Sequence, residues 1–323
     1  MPEKTDAASF QERFHQRWAQ LTDPHVRALA WLIDAPGLLD PQAAQWHGRI
    51  ARLPEAAGDQ AREWLHALDR EPRPLHAHLA LRPYSRLGRY AEKLMAFYLR
   101  HLGVLAAHNV QVCPAGQQTV GEFDFLVWRG GELLHWEFAT KFYLLQAPAR
   151  RGVRQDEANY FVGPNLADSL GAKMEKIFDR QLALSAHPAA RTVLPQPVAA
   201  AEALVKGWLF YPAGDYPLSP ALGVCAAHCH GFWCGIGELA EAQRYAVLPR
   251  LAWLAPARLP AGAALDRAGL EQSLAALFDN DRMPVLVALL RLQDGQALET
   301  ARGFIVPEGW SERASERVET PQH

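Results

Sequence analysis

The chain has 323 residues, and its 33 lysines and arginines against 35 aspartates and glutamates leave a formal net charge of −2. A composition of 49% hydrophobic and 21% charged residues supplies ample core material, which excludes a disordered chain. The balanced charge also excludes a broad basic coat for nucleic acid, while leaving room for a local basic groove. The length suits about two domains. Only six of the basic residues are lysine: Lys4, Lys93, Lys141, Lys173, Lys176 and Lys206. No apolar run approaches the length of about 18 residues that a membrane span needs. Met1 to Trp18 is polar and lacks the apolar stretch of a signal peptide. The four cysteines, Cys113, Cys225, Cys229 and Cys234, do not make a disulfide scaffold. These features lead to the expectation of a cytoplasmic protein with no membrane partner.

In chain order, Ser9 to Leu21 and Pro24 to Ile33 carry apolar residues at helical spacing, with Asp23-Pro24 as a cap followed by a first-turn proline. Pro41 to Leu68 predicts a third helix broken near Pro54. Glu71-Pro-Arg-Pro and Arg82-Pro83 predict a connection over 70–85. Arg86 to Leu102 predicts a well-buried helix stopped by Gly103. Val104 to Val112, Val120 to Trp128 and Glu132 to Leu144 predict three strands. After the loop Gly163-Pro164-Asn165, Leu166 to Ser185 predicts a clean amphipathic helix, and Leu204 to Tyr211 a further strand. Beyond Pro212 a turn-rich region leads into a helix over Leu270 to Phe278, strands over Val285 to Leu292 and Arg302 to Val306, and a polar, frayed tail after Trp310. The chain thus divides into a helical segment (1–80), an α/β core (81–212) and a smaller mixed α/β region (213–323).

The stretch over 121–144 carries the chemistry. Gly130-Gly131 suits a two-residue hairpin turn. With Arg129 opposite Glu132, Asp124 lies opposite Glu137 and Glu122 opposite Ala139. One strand face carries Phe123, Phe125, Val127, Leu134, Trp136, Phe138 and Phe142 and is predicted as core. The other carries Glu122, Asp124, Glu137, Ala139 and Lys141, with His135 towards the turn. Directly opposed like charges destabilise a hairpin, so a divalent cation or Lys141 is expected to compensate. The plainer alternative is that these acids form the solvated face of an antiparallel sheet.

The order helix, three strands, helix, strand, with an acid in the second strand and an acid then a lysine in the third, resembles the PD-(D/E)XK nuclease fold, an α/β class with an αβββαβ core. The resemblance implies that Asp124 and Glu137 hold Mg²⁺ or Mn²⁺, joined by Glu92 of the first helix. It implies that a lysine positions or activates the attacking water, and that the substrate is DNA or RNA. The lysine departs from the Glu-X-Lys pattern: Ala139 stands two residues after Glu137, and Lys141 starts about 6–7 Å further along the strand. Lys173 and Gln181, on the following helix, are candidates for contacting phosphate. The whole chain is also similar to an uncharacterised bacterial family, domain-of-unknown-function family 1853. The similar stretches are PHVRALAWLIDAPGLL (24–39), RLGRYAEKLMAFYL (86–99), the hairpin itself and GPNLADSLGAKMEKIFDRQLALS (163–185).

The reading is a Mg²⁺-dependent nuclease. Its alternative is a non-catalytic interaction or scaffold protein that keeps the fold. Cys225, His228, Cys229, His230 and Cys234 form a second candidate metal cluster, for zinc, at a spacing that is not a standard finger. His135 lies opposite Leu126 and is expected to be a spectator.

Overall fold

The computed structural model describes residues 8–54, 58–80, 86–114, 118–146, 157–213 and 222–319. Helix α1 (Phe10–Arg17) starts at a capping box: the Ser9 hydroxyl accepts from Glu12 N, and the Glu12 carboxylate accepts from Ser9 N. Helix α2 (Pro24–Asp34) is capped by Asp23, and every residue from Val26 to Ile33 is buried. The predicted third helix is corrected. Residues 41–54 contain only a short 3₁₀ turn at Ala44–Trp46, and their backbone bonds to the sheet instead: Ala51 N donates to Ala203 O, and Ala203 N to Arg49 O. Helix α3 spans Asp59–Arg70. The predicted connection over 70–85 holds a helix, α4 (Arg73–Leu79). Its prolines, Pro72 and Pro74, fall at the cap and in the first turn, where no amide donor is required. Arg82-Pro83 lies outside the described residues.

Helix α5 (Leu87–His101) ends at Gly103, whose φ is 68°. Gly103 N donates to Arg100 O and Val104 N to Leu99 O, satisfying the last carbonyls. The strands are β1 (Leu105–Val112), β2 (Gly121–Arg129), β3 (Glu132–Leu145) and the short β4 (Phe161–Val162). Then come helix α6 (Leu170–Glu175) and strands β5 (Val198–Pro212), β6 (Cys229–Cys234), β7 (Arg244–Val247) and β8 (Arg258–Pro260). Helix α7 (Arg267–Asn280), strands β9 (Val285–Gln293) and β10 (Gln296–Ile305) and helix α8 (Trp310–Glu319) complete the described chain. The predicted frayed tail is therefore a helix, anchored by buried Trp310, Ala314 and Val318. Among the described residues no helix is long and apolar enough to cross a membrane.

The strands form a mixed sheet in the order β1-β2-β3-β5-β6-β10-β9-β7, with β4 on β3 and β8 on β10. Strands β1 to β3 are an antiparallel meander, whereas β3, β5, β6 and β10 run parallel. The sheet continues across the 212/213 boundary, because β6 pairs with β5. Both faces of its centre are covered. Phe125, Val127, Leu134, Trp136, Phe138 and Phe142 pack with α2 and α5. Ala139, Tyr143, Val205 and Leu209 pack with Leu170, Met174 and Ile177 of the α6 region. Burial on both faces explains why β3 and β5 read as nearly continuous apolar runs.

The close β3–β5 pairing makes one position sensitive. Gly207 sits opposite Lys141, and a Cβ there would overlap the Lys141 carbonyl oxygen. Gly207→Ala is expected to destabilise the protein by about 3 kcal/mol, the upper end of overpacking effects. Urea denaturation measures this, and an unchanged midpoint would contradict the pairing.

Candidate active site

The hairpin register is the one that the Gly130-Gly131 turn dictates: Phe125 pairs with Trp136, Leu126 with His135 and Arg129 with Glu132. Beyond Phe125–Trp136 the backbone pairing gives way to a side chain, as Asp124 Oδ2 accepts from Phe138 N at 2.9 Å. The strict alternation predicted for β2 breaks here. Phe123 does not join Phe125. It packs with Leu126, Leu133 and Leu184 on the opposite face, edge-on to His135 at 4.6 Å. On β1, Phe123 pairs with Val110 and Phe125 with His108, and between those two positions stands Asn109, whose φ of 54° lies in the left-handed region.

Glu137 is 1% exposed and Asp124 is half-buried, so these two are not a solvated sheet face, whereas Glu122 is exposed, as the plainer alternative expects. The Glu137 carboxyl group hydrogen-bonds to that of Asp124. Glu137 Oε1 lies 3.0 Å from His135 Nε2, and Oε2 accepts from Gln181 Nε2 at 2.5 Å. Lys173 Nζ in turn donates to Gln181 Oε1 at 3.0 Å. Half-buried Glu92 of α5 hydrogen-bonds with Asn109, within electrostatic reach of Asp124 and Glu122.

The electrostatics follow from this crowding. Burial, then the Glu137 charge, pushes Asp124 up to about 7. Burial pushes Glu137 up to about 7, against the opposing pull of Lys173. Glu92 is also raised to about 7, by burial and then by Asp124. Lys173 is lowered by burial and then by Lys141. Burial lowers His135 to about 4, so its ring is neutral. Two of the six lysines, Lys173 and Lys176, act on Glu137 electrostatically, while Lys141 acts on Lys173.

The positive group beside the acids differs from expectation. Lys141 Nζ is 2.6 Å from Asp168 Oδ2, the same oxygen that Tyr143 OH reaches at 3.0 Å. Lys141 thus ties β3 to the segment before α6, whereas it is Lys173 that reaches Glu137, through Gln181. The predicted clean helix over Leu166 to Ser185 is also corrected. The α-helix covers only Leu170–Glu175, capped by Ser169, and continues as a π turn over Lys176–Gln181 and a 3₁₀ turn over Leu182–Ala186. Eight residues of regular α-helix make about 2.2 turns and would leave Gln181 off the Lys173 face. The wider π turn brings it back. His135, expected to be a spectator, contacts Glu137 directly; its position two residues before Glu137 on the same strand face was the available signal.

Among the described residues, no group of three His, Cys, Asp or Glu side chains is arranged to hold a metal ion. The paired acids offer two carboxylates. That donor set fits Mg²⁺, which keeps several waters and takes one or two carboxylates. The raised pKa values of both acids come chiefly from burial, against the opposing charge of Lys173. The second candidate cluster does not converge. Cys229 packs in the core beside α2 and Cys234 beside α7, while His228 Nε2 lies 2.9 Å from Tyr211 OH and Nδ1 2.8 Å from Cys225 O.

Residues 27–306 match the family described as "Domain of unknown function (DUF1853)". The chain belongs to the DUF1853 family. No curated protein and no solved structure matches it. The family match spans α5, the hairpin and α6, so the acid pair of this DUF1853 chain lies within the matched region.

A pH dependence follows. Asp124 and Glu137 titrate near 7 in the fold, against ordinary values of 3.8 and 4.5. An acid whose pKa is raised by folding binds its proton more tightly in the folded state. Stability is therefore greatest below the ordinary values and is lost as pH rises from about 4 to about 7. Asp124→Asn and Glu137→Gln remove that loss. Without divalent cations, each variant is expected to melt above the wild type at about pH 8, and the gap should close near pH 4. Thermal melts across pH check this; equal melting at pH 8 would contradict it.

Proposed function

We propose that this chain is a metal-dependent nuclease of the PD-(D/E)XK type, hydrolysing phosphodiester bonds in DNA or RNA. The observation that carries the reading is the buried Asp124–Glu137 pair at the point where the β2–β3 pairing ends, with Lys173 linked to it through Gln181. The order α5, β1, β2, β3, α6, β5, with β3 and β5 parallel, supports it. So does the placing of Lys173 and Lys176 where their charges act on Glu137, since a lysine ammonium is a compact point charge suited to phosphate.

Asp124 and Glu137 would hold Mg²⁺ or Mn²⁺, which when bound polarises a phosphoryl oxygen and lowers the pKa of a bound water. The protein residues divide the remaining tasks. Phe138 N and Gln181 fix the two carboxyl groups. Lys173 places positive charge beside the pair, where negative charge develops during phosphoryl transfer. Exposed Lys176 and Arg180 extend that charge along the same turn towards a polyanionic substrate. Glu92 shapes the field from α5 without completing a three-ligand group.

The alternative, a non-catalytic interaction or scaffold protein with this fold, is favoured by one observation: Asp168 and Tyr143 engage Lys141, the only lysine on the third strand. Labelled DNA and RNA assayed with Mg²⁺ or Mn²⁺ separate the two readings. The enzyme cleaves, stops on chelation, and is inactive as Asp124→Ala or Glu137→Ala. The scaffold shows the same background in all three proteins.

A further inference from the structure

His135 is wholly buried, yet only one of its two ring nitrogens has a partner. Nε2 lies 3.0 Å from Glu137 Oε1, while Nδ1 has no hydrogen-bond partner among the described residues. The Phe123 ring packs edge-on against the imidazole, and Leu126 and Leu133 line the same face. A leucine would satisfy this apolar setting without leaving a polar atom unpaired. The imidazole is explained by what Nε2 does.

We propose that His135 is a positioning residue for the acid pair, a role that rests on the metal-site reading above. Its single proton sits on Nε2 and is donated to Glu137 Oε1. Gln181 holds Oε2 from the other side, so the carboxyl plane is set before a cation arrives. Partners of this kind orient a metal-binding carboxylate and tune its affinity without touching the ion.

The test uses the full chain and Mn²⁺ alone as the probe. Calorimetry compares wild type, His135→Leu and His135→Gln, whose amide retains a donor, with thermal stability measured for each. His135→Leu is expected to weaken Mn²⁺ binding by about 10- to 100-fold, and His135→Gln to recover most of it. A purely structural role would make affinity follow melting temperature, and that result would overturn the proposal. Wild-type affinity in His135→Leu would overturn it too, while leaving the metal site intact. No Mn²⁺ binding by the wild type would overturn the metal-site reading and this role with it. Should His135→Leu fail to fold, ¹⁵N-histidine NMR of the wild type decides. The Nε2–H tautomer, shifting on Mg²⁺ addition in wild type but not in Asp124→Asn, supports the role. The Nδ1–H tautomer, or no shift, overturns it.

Discussion

Replacing Arg302 by leucine is expected to destabilise the fold by about 3–5 kcal/mol, because it strands a buried carboxylate without its cation. The Arg302 and Glu299 side chains have no solvent exposure. Nε meets Oε1 at 2.6 Å and Nη2 meets Oε2 at 2.8 Å, a bidentate pair. The guanidinium also donates to the carbonyls of Trp253 and Ala255 and lies 4.2 Å over the Trp208 ring. Glu299 Oε2 accepts from Ala257 N at 2.7 Å. The pair therefore serves the backbone of 253–257 as well as itself. That decides a second outcome. Converting both residues to leucine would often be harmless for an isolated buried pair. Here it leaves two carbonyls and one amide without partners, at about 1–3 kcal/mol for each group, so the double variant is also expected to be destabilised. Urea denaturation of the single and double variants measures both effects. A double variant as stable as wild type would show that the backbone contacts contribute little.

The second large effect concerns the lysines. Lys173→Ala is expected to lower the cleavage rate by about 10²–10³, the range seen when one positioned donor is lost from a site of developing negative charge. Lys141→Ala is expected to act less, by loosening the tie between β3 and the start of α6 that its contact with Asp168 makes. The ranking is the informative result, because the strand-lysine pattern of the PD-(D/E)XK resemblance points to Lys141 and the hydrogen bonds point to Lys173. A larger loss in Lys141→Ala would place the reacting phosphate on the Asp168 side and contradict the arrangement.

The hairpin was legible in the sequence because a two-residue glycine turn sets the register, and the register sets which residues oppose each other. Asp124 and Glu137 followed from counting alone. Five things were not legible. The break in alternation at Phe123 accompanies a left-handed residue, Asn109, in the neighbouring strand, and strand periodicity does not report a partner's backbone. The π turn over Lys176–Gln181 has the same apolar pattern as an α-helix, so the contact it makes between Lys173 and Gln181 was not foreseen. Residues 41–54 carry helical spacing, but bonds from Arg49 and Ala51 to Ala203 outweigh it, a tertiary override of local preference. The helix over Arg73–Leu79 was hidden by its prolines, which break a helix in its interior but not in its first turn. His135 was discounted for facing a leucine across the hairpin, although its same-strand neighbour on that face was Glu137.

The central claim is that Asp124 and Glu137 form a cation-dependent hydrolytic centre whose burial lowers stability in exchange for function. The most direct test pairs cleavage with melting in Asp124→Asn and Glu137→Gln, which keep shape and remove charge. At about pH 8 with Mg²⁺, both variants are predicted to lose cleavage of labelled nucleic acid. Without divalent cation, both are predicted to melt above the wild-type temperature. Cleavage at the wild-type rate in either variant would contradict the account.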